Sequence, residues 1–212
     1  MLLFLFNWFV KITGYVPALI LMRNKVRYED KSVQGRHIKG SAIVVSNHNS
    51  VMDFAAMMYI FPTRSLRCVV AEILYRKNIF FSLFLKMMGT ICVNRDGHDF
   101  GFIEKSVAIL KKGGVVEIYP ESRLPKKGEE RPLPFTPSTV YLALEADVPV
   151  IPVYNARLGL SPKGSSVIIG KPINLRELYD DSLDEKQNIE NLTNIFLYEY
   201  RQHFSKTIYQ FA

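Results

Sequence analysis

Short apolar, β-rich runs recur along the chain: SAIVVS (41–46), SLRCVVA (65–71), GTICVNR (89–95), GVVEIY (114–119), VPVIPVY (148–154) and SSVIIG (165–170). Helical patterning fills 51–60, 77–87, 99–112 and 137–146, and a longer stretch follows at 183–208. Strands that are apolar on both sides need cover on both faces, and parallel strands need a crossover between them. The pattern therefore predicts an α/β fold, a mainly parallel central sheet flanked by helices on both faces. Functional residues in such sheets gather beyond the C-terminal ends of the strands. No internal repeat, low-complexity tract or Gly/Ser linker divides the 212 residues, so one α/β domain is expected over 28–212.

Residues 1–27 read differently. The segment MLLFLFNWFVKITGYVPALILM (1–22) is the most apolar of the chain, and Lys11, Gly14 and Pro17 interrupt it. A spanning helix needs about 20 apolar residues. The three interruptions make a span the poorer fit, and with no basic region preceding and no small-residue cleavage site following, a signal peptide is not expected. The segment is expected to lie in a membrane interface, or to re-enter from one face, with Arg23, Lys25 and Arg27 meeting anionic lipid. A helix packed on the core is the alternative. The balance of 27 Lys+Arg against 20 Asp+Glu leaves +7. Such an excess suits lipid headgroups or phosphorylated substrates. Nucleic acid is not expected, because no binding motif or dense arginine run is present. Cys68 and Cys92 lie in apolar runs away from any Cys-x-x-Cys spacing and read as reduced, buried thiols in a cytosol-facing protein.

The first of the strands runs straight into a polar cluster, IVVSNHNSVMDF (43–54), in which Asp53 follows His48 by five residues. Ser50 and Asp53 have the spacing of a capping box, which would explain the carboxylate by helix initiation alone. The same spacing can bring the carboxylate to one imidazole nitrogen, fixing the tautomer and stabilising the imidazolium. The pair would then form a general base beside a helix N-terminus that favours negative charge. No Gly-x-Ser-x-Gly elbow occurs, and neither cysteine lies in a comparable motif. Such a base would therefore activate a substrate hydroxyl directly.

These residues resemble the glycerolipid acyltransferases, in particular the 1-acylglycerol-3-phosphate acyltransferase branch. SNHNSVMDF resembles the first motif of that family, GTICVNRDG (89–97) the second, EIYPESRLP (117–125) the third and VPVIPVY the fourth, in the family's order. The resemblance spans about residues 40–155 and implies the family's α/β fold. It implies His48 as the general base on an acceptor hydroxyl and Asp53 as its partner. Arg95 and Arg123 would bind the acceptor's phosphate, with Glu121 and Ser122 shaping that site. The 148–154 strand is associated with the acyl chain. The donor would be acyl-CoA or acyl carrier protein, as co-substrate, and no metal or cofactor is needed. The expected place is the cytoplasmic face of the cell membrane, peripheral or monotopic. The third block departs from Phe-Pro-Glu-Gly-Thr-Arg: Ser122 follows Glu121, the glycine is gone and one residue is missing before Arg123. That departure bears on which acceptor is used. Transfer to another lyso-lipid or glycolipid hydroxyl, hydrolysis of the thioester, and a non-catalytic lipid-binding role are the competing readings.

Overall fold

Ala42–Ser46 is buried at every position, which only a strand covered on both faces achieves. It is β2 of the computed structural model, which describes residues 2–23, 25–50, 53–94, 101–157 and 166–211. The other strands are β1 Lys25–Tyr28, β3 Leu66–Ala71, β4 Ile91–Val93, β5 Val115–Ile118, β6 Val150–Arg157 and β7 Ser166–Ile169. They form one sheet in the order β1-β7-β6-β2-β5-β3-β4. Every pairing is parallel except β6 with β7. The C-terminal ends of β6, β2, β5, β3 and β4 therefore share one edge.

Alternating side chains of the central strands feed two cores. Ile43, Val45, Val116 and Ile118 pack with α6 (Gly101–Lys111), α7 (Ser138–Ala146) and α8 (Glu185–Phe211). Ala42, Val44, Val115 and Val153 pack on the opposite face with α3 (Asp53–Ile60) and α2 (Tyr15–Met22). In α8 Leu192, Phe196, Tyr200 and Phe204 recur every fourth residue and are buried, a core-facing stripe. The expected mainly parallel sheet with helices on both faces is the architecture found.

Two elements were not expected. Lys25-Val-Arg-Tyr28 alternates exposed and half-buried positions and reads by sequence as a basic flank, yet it pairs with β7 as an edge strand. The helix α4 (Glu72–Lys77) follows β3 without a turn, and its N-cap, Ala71, offers no side-chain bond. After it, α5 (Ile79–Met88) is started by Asn78, whose Oδ1 accepts from the Phe80 amide at 2.7 Å.

The N-terminal segment is not one helix but two, α1 (Leu2–Thr13) and α2, bent by 51°. Gly14 sits at the break. A Cβ there would meet Tyr59 Oη at 2.0 Å, so only glycine lets that hydroxyl approach. One face of the pair is packed: Asn7, Lys11, Ala18 and Met22 are buried. The other face leaves Phe4, Phe9, Ile12, Val16 and Ile20 more than half exposed. Among the described residues no single helix is long and apolar enough to cross a membrane. Lys11, which interrupts the apolar run in the sequence, points inward. Its Nζ donates to the carbonyls of Phe61 at 3.0 Å and Pro62 at 3.3 Å, and also to that of Arg64. These oxygens lie just beyond the C-terminus of α3, where a cation is favoured. Burial nevertheless pulls the amine down to about 8.

Candidate active site

The loop 47–50 leaves β2 at the shared strand edge, between the exits of β5 and β6. Asn47 is fixed first. Its Nδ2 donates to Asn155 O at 3.0 Å, and its Oδ1 accepts from the Asn155 amide at 2.9 Å, a reciprocal clamp between β2 and β6. Tyr200 Oη, from α8, accepts from the Asn47 amide at 2.8 Å and lies 2.7 Å from Val153 O. Asn155 Nδ2 donates to Ser46 Oγ at 2.9 Å. All of these groups are buried, where an unpaired amide would be costly. The backbone entering His48 is therefore over-determined.

His48 Nδ1 lies 2.8 Å from Asp53 Oδ2, with the imidazole 18% exposed and the carboxylate fully buried. The same oxygen accepts from the Asn49 amide at 2.6 Å and the Ser50 amide at 2.9 Å. The bond from Ser50 is half of the predicted capping box. Capping and imidazole orientation are thus served by one oxygen. A carboxylate only accepts, so Nδ1 carries the proton and Nε2 keeps its lone pair. Nε2 has no hydrogen-bond partner among the described residues. Tyr119 stacks on the imidazole with ring centroids 4.5 Å apart.

Glu121 follows β5 and is buried. Its Oε1 accepts from the His48 amide at 3.0 Å and its Oε2 from the Leu133 amide at 3.2 Å. Burial raises its pKa, against the pull of those two donors. Its position makes it a brace between the His48 loop and the 123–134 loop. Ser122 occupies the left-handed region at φ 59°. Serine adopts this positive φ at a cost of about 1–2 kcal/mol, which glycine would not incur. Ser122→Gly should raise stability by about 0.5–1 kcal/mol after the loss of unfolded-state restraint, an increase of roughly 2–3 °C in Tm by calorimetry. An unchanged or lower Tm would show that the serine hydroxyl, 3.4 Å from Thr136 Oγ1, matters more than the backbone.

Arg123 does not present an open guanidinium. It is exposed and pairs with Glu129 through two bonds, at 2.8 and 2.9 Å, and this pairing drops the Glu129 carboxyl to about 2. Arg131 was not singled out from the sequence; its Nη1 donates to Asn49 Oδ1 at 2.7 Å, one residue from His48. Arg95 lies outside the described residues.

Beneath Tyr119 is a buried acid, Glu117, which accepts a bond from the Tyr119 hydroxyl. Burial raises Glu117 from 4.5 to about 8. Between those pH values the native state holds a proton that the unfolded chain releases, so stability falls as pH rises, by up to about 1.4 kcal/mol per unit. Glu117→Gln should flatten the dependence of Tm on pH between about 5 and 8. Parallel curves for the two proteins would mean that the carboxyl is already ionised there.

A family model described as Acyltransferase matches residues 22–155, well over half of the chain. The chain belongs to the acyltransferase family. Among curated relatives of this acyltransferase chain, 1-acyl-sn-glycerol-3-phosphate acyltransferase beta of Homo sapiens is 26% identical over 150 residues, covering 69% of the chain and 50% of that protein. The alpha form from Mus musculus is 30% identical over 112 residues, covering 52% and 39%. The acyltransferase chain therefore spans half or less of the length of these two curated relatives. The crystal structure of the 1-acyl-sn-glycerophosphate (LPA) acyltransferase PlsC from Thermotoga maritima shares the fold, with a TM-score of 0.58 at 18% identity over 91% of this chain and 78% of that one. The family indicated by the four motif blocks is the family found.

Proposed function

We propose that this chain transfers a fatty acyl group from an acyl thioester, acyl-CoA or acyl carrier protein, to the free hydroxyl of a lysophospholipid. The acceptor is 1-acylglycerol 3-phosphate and the product phosphatidic acid. The observation that carries this reading is the 2.8 Å contact of His48 Nδ1 with a buried Asp53, which leaves Nε2 as an unoccupied base at the strand edge. Relatives named as 1-acyl-sn-glycerol-3-phosphate acyltransferases support the substrate class.

In this mechanism His48 Nε2 takes the proton of the acceptor hydroxyl as its oxygen attacks the thioester carbonyl. Asp53 stabilises the imidazolium so formed. The tetrahedral intermediate collapses with cleavage of the C–S bond, and the imidazolium returns the proton to the leaving thiolate. The products are ester and free thiol, with no acyl-enzyme and no metal or cofactor required. The exposed apolar face of α1 and α2, together with Ile79, Phe80 and Leu83 of the adjoining α5, would rest in the cytoplasmic leaflet.

The decisive assay follows thiol release from a long-chain acyl thioester with and without 1-acylglycerol 3-phosphate. Acceptor-dependent release that is lost in His48→Ala is expected. Release without acceptor would identify a hydrolase, and activity only with an amino- or sugar-lipid would move the acceptor class. For the membrane face, wild-type protein should co-sediment with vesicles of phosphatidylcholine and phosphatidylglycerol, and Phe9→Asp/Ile20→Asp should remain largely in the supernatant. Equal pelleting of both proteins would rule this face out.

A further inference from the structure

We infer that Arg131, rather than Arg123, supplies the charge that holds the acceptor's headgroup phosphate, with Asn49 as its mount. The inference rests on the acyl-transfer reading above and starts from a constraint of the substrate itself. In 1-acylglycerol 3-phosphate the reacting hydroxyl and the phosphate ester sit on adjacent carbons. A cation that binds the phosphate while His48 meets the hydroxyl must therefore stand beside the His48 loop.

Arg123 is committed elsewhere. Both arms of its guanidinium are engaged by Glu129, whose Oε2 is also bonded by the Lys126 amide at 2.6 Å. The pair closes a turn within its own loop. It takes the place, on this arginine, that a phosphate would need for two-pronged binding.

Arg131 has the opposite character. Among the described residues its guanidinium donates from Nη1 to Asn49 Oδ1, a neutral amide, at 2.7 Å. It makes no ion pair with a carboxylate among the described residues. Its charge reaches Glu121, but both oxygens of Glu121 already take backbone amides, from His48 and Leu133. The Asn49 amide is itself held, because its Nδ2 donates to Asn155 Oδ1, which leaves Oδ1 turned toward the arginine. A guanidinium has five N–H donors in a fixed fork. One anchors Arg131 to the catalytic loop, and the remainder can meet an anionic oxygen next to the base. The loss of the family glycine and the shortened third block are then matched by a cation supplied from further along the same loop.

The test compares Arg131→Gln with Arg123→Gln in steady-state transfer, using 1-acylglycerol 3-phosphate and the phosphate-free 1-acylglycerol as acceptors. Arg131→Gln should raise KM for the phosphorylated acceptor about ten- to hundredfold, the loss of one charge-assisted contact, and erase most of the preference over 1-acylglycerol. Its KM for acyl-CoA should stay within about threefold, and Arg123→Gln should shift the acceptor preference far less. The reverse ranking of the two variants overturns the inference. So does a rise confined to the acyl-CoA KM, which would assign Arg131 to the phosphates of the donor. A binding arm separates this from the catalytic reading: in a His48→Ala background, 1-acylglycerol 3-phosphate should raise Tm, and adding Arg131→Gln should remove that rise. Binding without turnover of this acceptor by wild type would sink the transfer reading and leave the Arg131 site standing. No phosphate-dependent rise in His48→Ala overturns the site.

Discussion

Asp53→Asn should lower the saturated rate of acyl transfer between about a hundred- and ten-thousandfold while leaving the loop folded. The asparagine oxygen can occupy the position of Oδ2 and keep accepting from His48 Nδ1, Asn49 N and Ser50 N. The tautomer and the cap are then retained, and what disappears is the negative charge that stabilises the imidazolium. The new amide nitrogen would take the place of Oδ1, which is buried and has no partner among the described residues. Its desolvation costs about 1–3 kcal/mol. The diagnostic is therefore a disproportion, in which the rate falls by far more than the stability, compared by stopped thiol-release assays and urea denaturation of the same preparation. If the rate falls only as much as the folded fraction, Asp53 is a helix cap and nothing more.

The second large effect belongs to a buried residue of the strand end, Asn47. Asn47→Ala should cost about 3–5 kcal/mol of stability, because it strips partners from the buried Asn155 amide and carbonyl together. Against a total of about 5–15 kcal/mol for a domain, this brings the protein near its threshold. Tyr200→Phe is the milder companion. It removes only the hydroxyl that accepts from the Asn47 amide, and about 1–2 kcal/mol is expected. Chemical denaturation reads both, and the two losses should add to more than the double variant shows, since they share one network. A loss below about 1 kcal/mol for Asn47→Ala would mean that water replaces the amide and that the clamp is dispensable.

The uneven legibility of this molecule in its sequence follows from distance along the chain. The strands at 41–46 and 114–119 could be read because both of their faces are apolar, and their burial confirms it. His48 and Asp53 were visible because the pair is local, five residues apart. The clamp around Asn47 was not, because its partners lie 108 and 153 residues away and asparagine at a strand end carries no pattern of its own. Arg131 was hidden in KKGEERP, a run that reads as a solvated turn until Asn49 is seen beside it. The edge strand β1 was missed because charge alternation, not hydrophobicity, marks it. Gly14 could be read as an interruption of the apolar segment, but its close contact with Tyr59, a residue from another helix, could not.

The short helix α3 has a property that emerges only when its two ends are considered together. Asp53 stands at its first position, and the carbonyls that hold Lys11 lie just past its last. Eight residues of helix, about 12 Å, are thus a rigid strut with the acid of the reacting pair at one tip and the greasy foot of the chain fastened to the other. The proposed membrane face and the carboxylate that orients His48 are thereby fastened to opposite ends of one helix.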